Sequence, residues 1–436
     1  MRSTVLLASG HRSHLRRRQR RFISSRTAWS SPRRRDPRQA ARRVLAAVAA
    51  AAMVFAGFAL VQELRGGPRL LLTADRRPLT TSGQVQLPWP STGEAALAVP
   101  GVGLVGTHGG DTPLPIASIT KVMTALVVLQ DHPLSPGQSG PTLTVTPQDV
   151  ATYQSDVATQ QSVLAVAAGE QLTELQALEG LLIPSANNIA DLLAQWDAGS
   201  VPAFVAAMNR RAAALGLHHT HFVSPTGLEA GSVSTPVDLI RLGETAMANP
   251  VFASVVAMPQ ATLPVAGTVI NYDYDLTHHG FIGIKTGSDS AAGGCFLFEA
   301  VVPVGDRRVP VIGAVLGEQT APIIQTALDD ATSLVVALRG QLAERQLVAT
   351  GMPVATLHAA WGPATPVVAG SSLSIVAWPG LALSARLLVP HLGSAVAGGQ
   401  RVGTMAVAVD GVVHRLPLLT RHGVPGPSFG WKLGNI

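Results

Sequence analysis

The sequence predicts an α/β (α+β) catalytic region followed by a small β-rich domain, with one apolar segment ahead of both. Three observations carry this. Amphipathic stretches with helical spacing recur from residue 117 to 250. Two β-like runs, Gly294–Val304 and Arg308–Leu316, are joined by Gly305-Asp306 as a hairpin. From about Gly340, short Val/Leu/Ala runs alternate with Gly/Pro pairs such as Gly362-Pro363 and Pro379-Gly380, the texture of an all-β domain.

The helices have readable ends. Ala117–Gln130 carries apolar residues at Ile119, Val122, Met123, Leu126, Val127 and Leu129. Thr173–Ile183 opens with Thr173 and Gln176 in capping-box spacing, is interrupted at Pro184, and resumes from Asn188 to Trp196. Pro202–Leu217 follows, Thr235-Pro236 opens another with proline at the favoured first position, and Pro322–Leu338 closes the region.

Val44–Val61 is free of charge and long enough to cross a hydrocarbon core of about 30 Å. It reads as an uncleaved transmembrane anchor in preference to a signal segment, although small residues at 56–59 leave cleavage open. The net charge of +6 is a difference of two parts: residues 1–43 hold fourteen arginines and one acid, and the rest is acidic. That tail lacks interleaved aromatics, which argues against nucleic acid as a partner. Positive flanks keep the N-terminus cytoplasmic, so the region beyond Val61 is expected outside a bacterial membrane, or secreted if the segment is cut. The expected organisation is a basic tail (1–43), an anchor (44–61), a Gly/Pro-containing linker (62–84), a catalytic domain (85–340) and a β-rich domain (341–436).

Positive charge is carried by 29 arginines against three lysines, Lys121, Lys285 and Lys432. Arginine never gives up its proton in a protein, whereas a crowded lysine becomes a base. Lys121 lies three residues after Ser118, on the same face at the start of an apolar helix, so its amine reaches the hydroxyl. The helix N-terminus favours an oxyanion beside that serine. Lys285 stands in Lys285-Thr286-Gly287 after an apolar run, where glycine lets a substrate backbone approach the strand. Between them, Pro184-Ser185-Ala186-Asn187 places a serine and an asparagine in a loop between helices. In this order the three segments form the signature of penicillin-binding proteins and class A β-lactamases. Cys295 reads as a core residue. His218-His219-Thr220-His221 has no acidic or cysteine partner at ligand spacing, so no metal and no cofactor are expected.

With these residues in view the chain resembles the D-alanyl-D-alanine carboxypeptidases of the low-molecular-mass penicillin-binding class, over about residues 85–340. The resemblance extends to Pro115–Lys121, Ala168–Thr173, Leu182–Asn188, Thr220–Leu228 and Gly283–Gly287 running into Ala291–Cys295. It implies a transpeptidase-like domain whose antiparallel sheet is covered by helices. It also implies peptidoglycan stem peptides as substrates, with β-lactams as covalent inhibitors. By the same resemblance Ser118 is the nucleophile, Lys121 the base, Ser185 a proton relay, and Asn187 the group that holds Lys121 and the substrate amide. Lys285 and Thr286 would meet the substrate carboxylate, and Gly287 would admit the substrate. The N–H groups of Ser118 and Ser288 would form the oxyanion hole. An arginine expected 30–35 residues after Lys285 is missing from Val315–Thr320. Two rival readings are a β-lactamase, disfavoured because His218–Ser224 contains no acid, and a wall-binding or regulatory protein on the same scaffold.

Overall fold

The computed structural model describes residues 37–64, 69–74 and 79–435. Most of the basic tail, residues 1–36, and parts of the expected linker lie outside the described residues. The chain divides after residue 67 into two units, considered separately.

In the first unit, helix α1 (Pro37–Leu64) begins seven residues before the apolar run. Proline at its start has a preset φ, and Gln39, Ala40, Ala41, Arg42 and Arg43 are good helix formers, so the charged flank continues the helix. Its apolar side chains are exposed, with Met53 and Val54 among them. By length and composition it is sufficient to cross a membrane.

The second unit is built on a five-stranded antiparallel sheet. Its elements are β1 (Glu94–Val99), β2 (Gly103–His108), α2 (Thr120–Asp131), α3 (Asn187–Ala198), α4 (Pro236–Met247), β3 (Phe281–Asp289), β4 (Gly293–Val304), β5 (Arg307–Glu318) and α5 (Ile323–Arg339). The strand order is β3-β4-β5-β1-β2, so β3 is an outer strand. The expected hairpin is β4–β5, with Val304 opposite Arg307.

Side chains alternate across this sheet as the period of two requires. Ala96, Ala98, Leu297, Ile312 and Ala314 join a core with α2, α3 and α4. Ala95, Leu97, Phe296, Phe298, Val311 and Val315 join a second core under α5. A side chain at Gly243 of α4 would meet the tips of Ile312, Ile284 and Leu297 within 3.3 Å, so glycine lets this helix lie close on the sheet. The sheet is therefore covered by helices, as the resemblance implied.

Beyond α5, a seven-stranded sheet combines Pro353–Ala359, Gly362–Ala369, Ala382–Leu388, Arg401–Val409 and Val412–Thr420 with two strands from the expected linker, Leu71–Ala74 and Leu79–Thr80. The linker thus departs from a free tether: its backbone pairs with Pro353–Ala359 and Ala382–Leu388, and Leu70 and Leu79 are buried in the second core. The pairing satisfies backbone groups that a free tether would leave to water, and the burial removes apolar side chains from it.

Phe298 is fully buried, with its ring centroid 5.4 Å from those of Phe281 and Phe296. Phe298→Ala is expected to destabilise the fold by about 3–5 kcal/mol. A lowered urea midpoint with unchanged slope would agree; an unchanged midpoint would show that this cluster does not support the sheet.

Candidate active site

The site forms where α2, the head of α3 and strand β3 converge. Ser118 sits in a single 3₁₀ turn, Ala117–Ile119, that leads directly into α2. Ala117 has φ 44°, a strained value for a residue with a Cβ, and its fixed geometry holds the serine at the helix head. A second constraint comes from Gly227, at φ +80°. A Cβ there would fall 1.9 Å from the Ala117 carbonyl oxygen and 2.5 Å from Thr120 Oγ1, so the loop Ser224–Leu228 lies directly on the serine turn.

Lys121 is fully buried and faces three groups. Its Nζ lies 2.9 Å from Ser118 Oγ, and donates to Asn187 Oδ1 at 2.6 Å and to the Thr226 carbonyl at 2.8 Å. Burial holds this amine well below the ordinary lysine range; the charge of Lys285 adds to the effect, and Asp191 and Glu229 oppose it. A neutral amine has two protons and a lone pair. In that form Asn187 Oδ1 and the Thr226 carbonyl would take the two protons, and the lone pair would be left for the Ser118 hydroxyl.

Pro184-Ser185-Ala186 breaks the helical path, and Ser185 adopts φ 62°. Its side chain is buried, and among the described residues its Oγ has no hydrogen-bond partner. Asn187 is the first residue of α3 and joins Lys121 to Gln161, whose Oε1 accepts from Asn187 Nδ2 at 2.7 Å.

Strand β3 supplies the opposite wall. A Cβ at Gly287 would stand 3.0 Å from Ser118 N and from the Ile116 carbonyl oxygen, so glycine is what allows the strand to approach the serine turn. Thr286 and Lys285 are buried and Ser288 is partly exposed. Lys285 Nζ donates to the Thr286 carbonyl at 3.0 Å. Burial pushes its pKa down to about 7, against the pull of Asp273. Asp273, itself buried, is pushed up to about 7 chiefly by desolvation.

The eight residues singled out from the sequence therefore come from three elements that meet at the Ser118 turn. Sequence reasoning missed Gln161, Asp273 and the role of the Thr226 carbonyl. Nothing local marks Gln161 or a carbonyl; Asp273 precedes β3 in an irregular Tyr/Asp run with no recognisable spacing. Cys295 is buried and paired in register with Gly287, and burial pushes its thiol up to about 12, as suits a core residue.

A serine at a helix head, contacting a buried lysine amine and flanked by an outer strand bearing Lys-Thr-Gly, is an arrangement suited to serine acyl transfer of the penicillin-binding type. The family model described as D-alanyl-D-alanine carboxypeptidase matches residues 105–320. The chain is 36% identical over 207 residues to D-alanyl-D-alanine carboxypeptidase DacB2 of Mycobacterium tuberculosis, covering 45% of this chain and 65% of that one. It is 34% identical over 245 residues to a Streptomyces D-alanyl-D-alanine carboxypeptidase, covering 52% and 80%. A solved mutant of a Streptomyces DD-transpeptidase superposes with TM-score 0.51 at 30% identity, covering 57% of this chain and 98% of that one. Penicillin binding protein 5 from Haemophilus influenzae shares the fold, with TM-score 0.56 at 19% identity over 78% and 98%. The chain belongs to the D-alanyl-D-alanine carboxypeptidase family of serine peptidases.

Gly227→Ala is expected to slow acylation of Ser118 by fluorescent penicillin by roughly a hundredfold, the cost of displacing a reacting group. Labelling at the wild-type rate would show that the loop does not hold the serine turn.

Proposed function

We propose that this chain removes the terminal D-alanine from peptidoglycan stem peptides through an acyl-enzyme on Ser118, and that β-lactams acylate the same serine. The observation that carries the proposal is the buried Lys121 amine, whose Nζ has two fixed acceptors, Asn187 Oδ1 and the Thr226 carbonyl, and lies 2.9 Å from Ser118 Oγ.

In this reading the substrate lies extended along the free edge of β3, as peptides add to exposed sheet edges. Lys121 takes the Ser118 proton as Oγ attacks the carbonyl of the penultimate D-alanine. The backbone N–H groups of Ser118 and Ser288 stabilise the oxyanion. Ser185 passes a proton to the leaving amine, and Asn187 holds Lys121 and the substrate amide. The C–N bond breaks, D-alanine leaves, and water hydrolyses the ester. Lys285 and Thr286 hold the terminal carboxylate without the arginine that Val315–Thr320 lacks.

We further propose that residues 85–340 act as the catalytic domain and 341–436 as an accessory β domain. In the same reading α1 is a single-pass anchor with its N-terminus cytoplasmic and the enzyme outside. The arginines ahead of the apolar segment support that orientation.

A pentapeptide ending in D-Ala-D-Ala should release D-alanine with the wild type, and with neither Ser118→Ala nor Lys121→Arg. A fully active Lys121→Arg would remove the lysine from its role as base, because arginine keeps the charge and cannot accept the proton.

Lys285 carries its charge below about pH 7 and loses it above that value. The alkaline side of the kcat/KM profile should therefore fall with an apparent pKa near 7, through a rising KM. A KM flat from pH 6 to about pH 9 would exclude Lys285 from carboxylate binding.

A further inference from the structure

The amide of Asn187 is nearly symmetric in shape, so a flip would set Nδ2 against Lys121 Nζ, donor against donor. A chain of residues outside the sequence motifs forbids that flip. The helix Pro147–Ala158 ends with backbone carbonyls, of which that of Ser155 accepts from the Thr159 N–H at 3.1 Å and that of Asp156 from the Gln161 N–H at 3.0 Å, each with a second lone pair. The Thr159 hydroxyl donates to those of Ser155 and Asp156, at 3.1 and 3.2 Å. Its oxygen is then the acceptor for Gln161 Nε2 at 3.0 Å. Gln161 Oε1 is thereby turned the other way and accepts from Asn187 Nδ2 at 2.7 Å. Asn187 Oδ1 is left facing Lys121 Nζ at 2.6 Å. Backbone carbonyls accept and never donate, so the polarity fixed at the helix end passes through every bond to the lysine.

The frame that carries the chain is tied down separately. The Asn187 N–H donates to the Ser162 carbonyl at 2.8 Å. The Asn188 side chain accepts from the Leu164 N–H at 3.0 Å and donates to its carbonyl at 2.9 Å. Residues 159–164 are thus fastened to the head of α3, whatever the side chains at 159 and 161.

We propose that Thr159 and Gln161 are positioning residues: their directional hydrogen bonds hold the Asn187 carbonyl oxygen toward Lys121 and so aim the lysine lone pair at Ser118. The proposal rests on Lys121 being the base. The charges facing Lys121 are Lys285 from β3, Asp191 from α3 and Glu229 from the loop after Thr226. None of them is altered by a change at 159 or 161. Loss of the oriented acceptor has two opposed effects. The ammonium form loses more than the neutral form, so the lysine titrates at lower pH. Its lone pair meanwhile turns to the flipped amide, so acylation slows although more of the base is neutral. A segment that merely supported the fold would produce neither effect.

The chain has three lysines, so the full-length protein in detergent micelles, with ¹³C at lysine Cε, gives three resonances, assigned with Lys285→Arg and Lys432→Arg. In Gln161→Met and in Thr159→Val, Lys121 should titrate at lower pH while penicillin acylates Ser118 roughly tenfold or more slowly. Thr159→Ser should restore both. Thr159 is exposed, so its replacement does not threaten folding. A Lys121 titration unchanged in Gln161→Met and Thr159→Val overturns the relay. A wild type that takes no penicillin at Ser118 instead overturns the enzymatic reading, and the lysine resonance still decides the relay.

Discussion

The arrangement of this active site follows from one costly act, the complete burial of the Lys121 amine. An unpaired ammonium in such a place is expensive, and burial lowers the pKa of the amine and so favours its neutral form. Neutrality alone would leave the lone pair free to point anywhere. Asn187 Oδ1 and the Thr226 carbonyl remove that freedom by accepting the two remaining protons. What is left to the lysine is one direction of basicity, toward the hydroxyl one helical turn away.

Holding those acceptors requires backbone that ordinary sequences avoid. Ala117 and Ser185 both have positive φ, one beside Ser118 and one at the break before α3. Gly227 permits backbone to lie on the serine turn where a Cβ would collide, and Gly287 lets β3 approach it from another side, where a Cβ would be tight. Strain and close approach at functional residues are affordable because the surrounding elements are strongly fixed, here by the helix layers packed on both faces of the sheet. Across the cleft, Lys285 and Asp273 are both buried and feel each other's opposite charge. Each is pushed by desolvation toward neutrality and pulled back by the other.

Much of this was legible in the residues because its signals are local. The Thr173/Gln176 capping box forms as its spacing implied, with both reciprocal hydrogen bonds present. The β4–β5 hairpin and the helical turn joining Ser118 to Lys121 depend on neighbouring residues, and both were readable. The strands β1 and β2 were not, because an Ala-rich run such as Glu94–Val99 has little strand propensity of its own, and besides its neighbour β2 it pairs with β5, over 200 positions away. Likewise Leu71–Ala74 looked like tether, since its side chains are largely exposed and its partner strand lies near residue 356. Gln161 escaped for the same reason: its importance comes from a contact with Asn187, and a glutamine in a loop has no pattern of its own.

The proton count on Lys121 is the quantity on which the account stands. Neutron diffraction from deuterium-exchanged crystals near neutral pH counts it directly. Two deuterons on Nζ, one toward Asn187 Oδ1 and one toward the Thr226 carbonyl, with the Ser118 deuteron pointing at Nζ, is the predicted result. Three deuterons on Nζ would contradict it and leave Ser118 without its base.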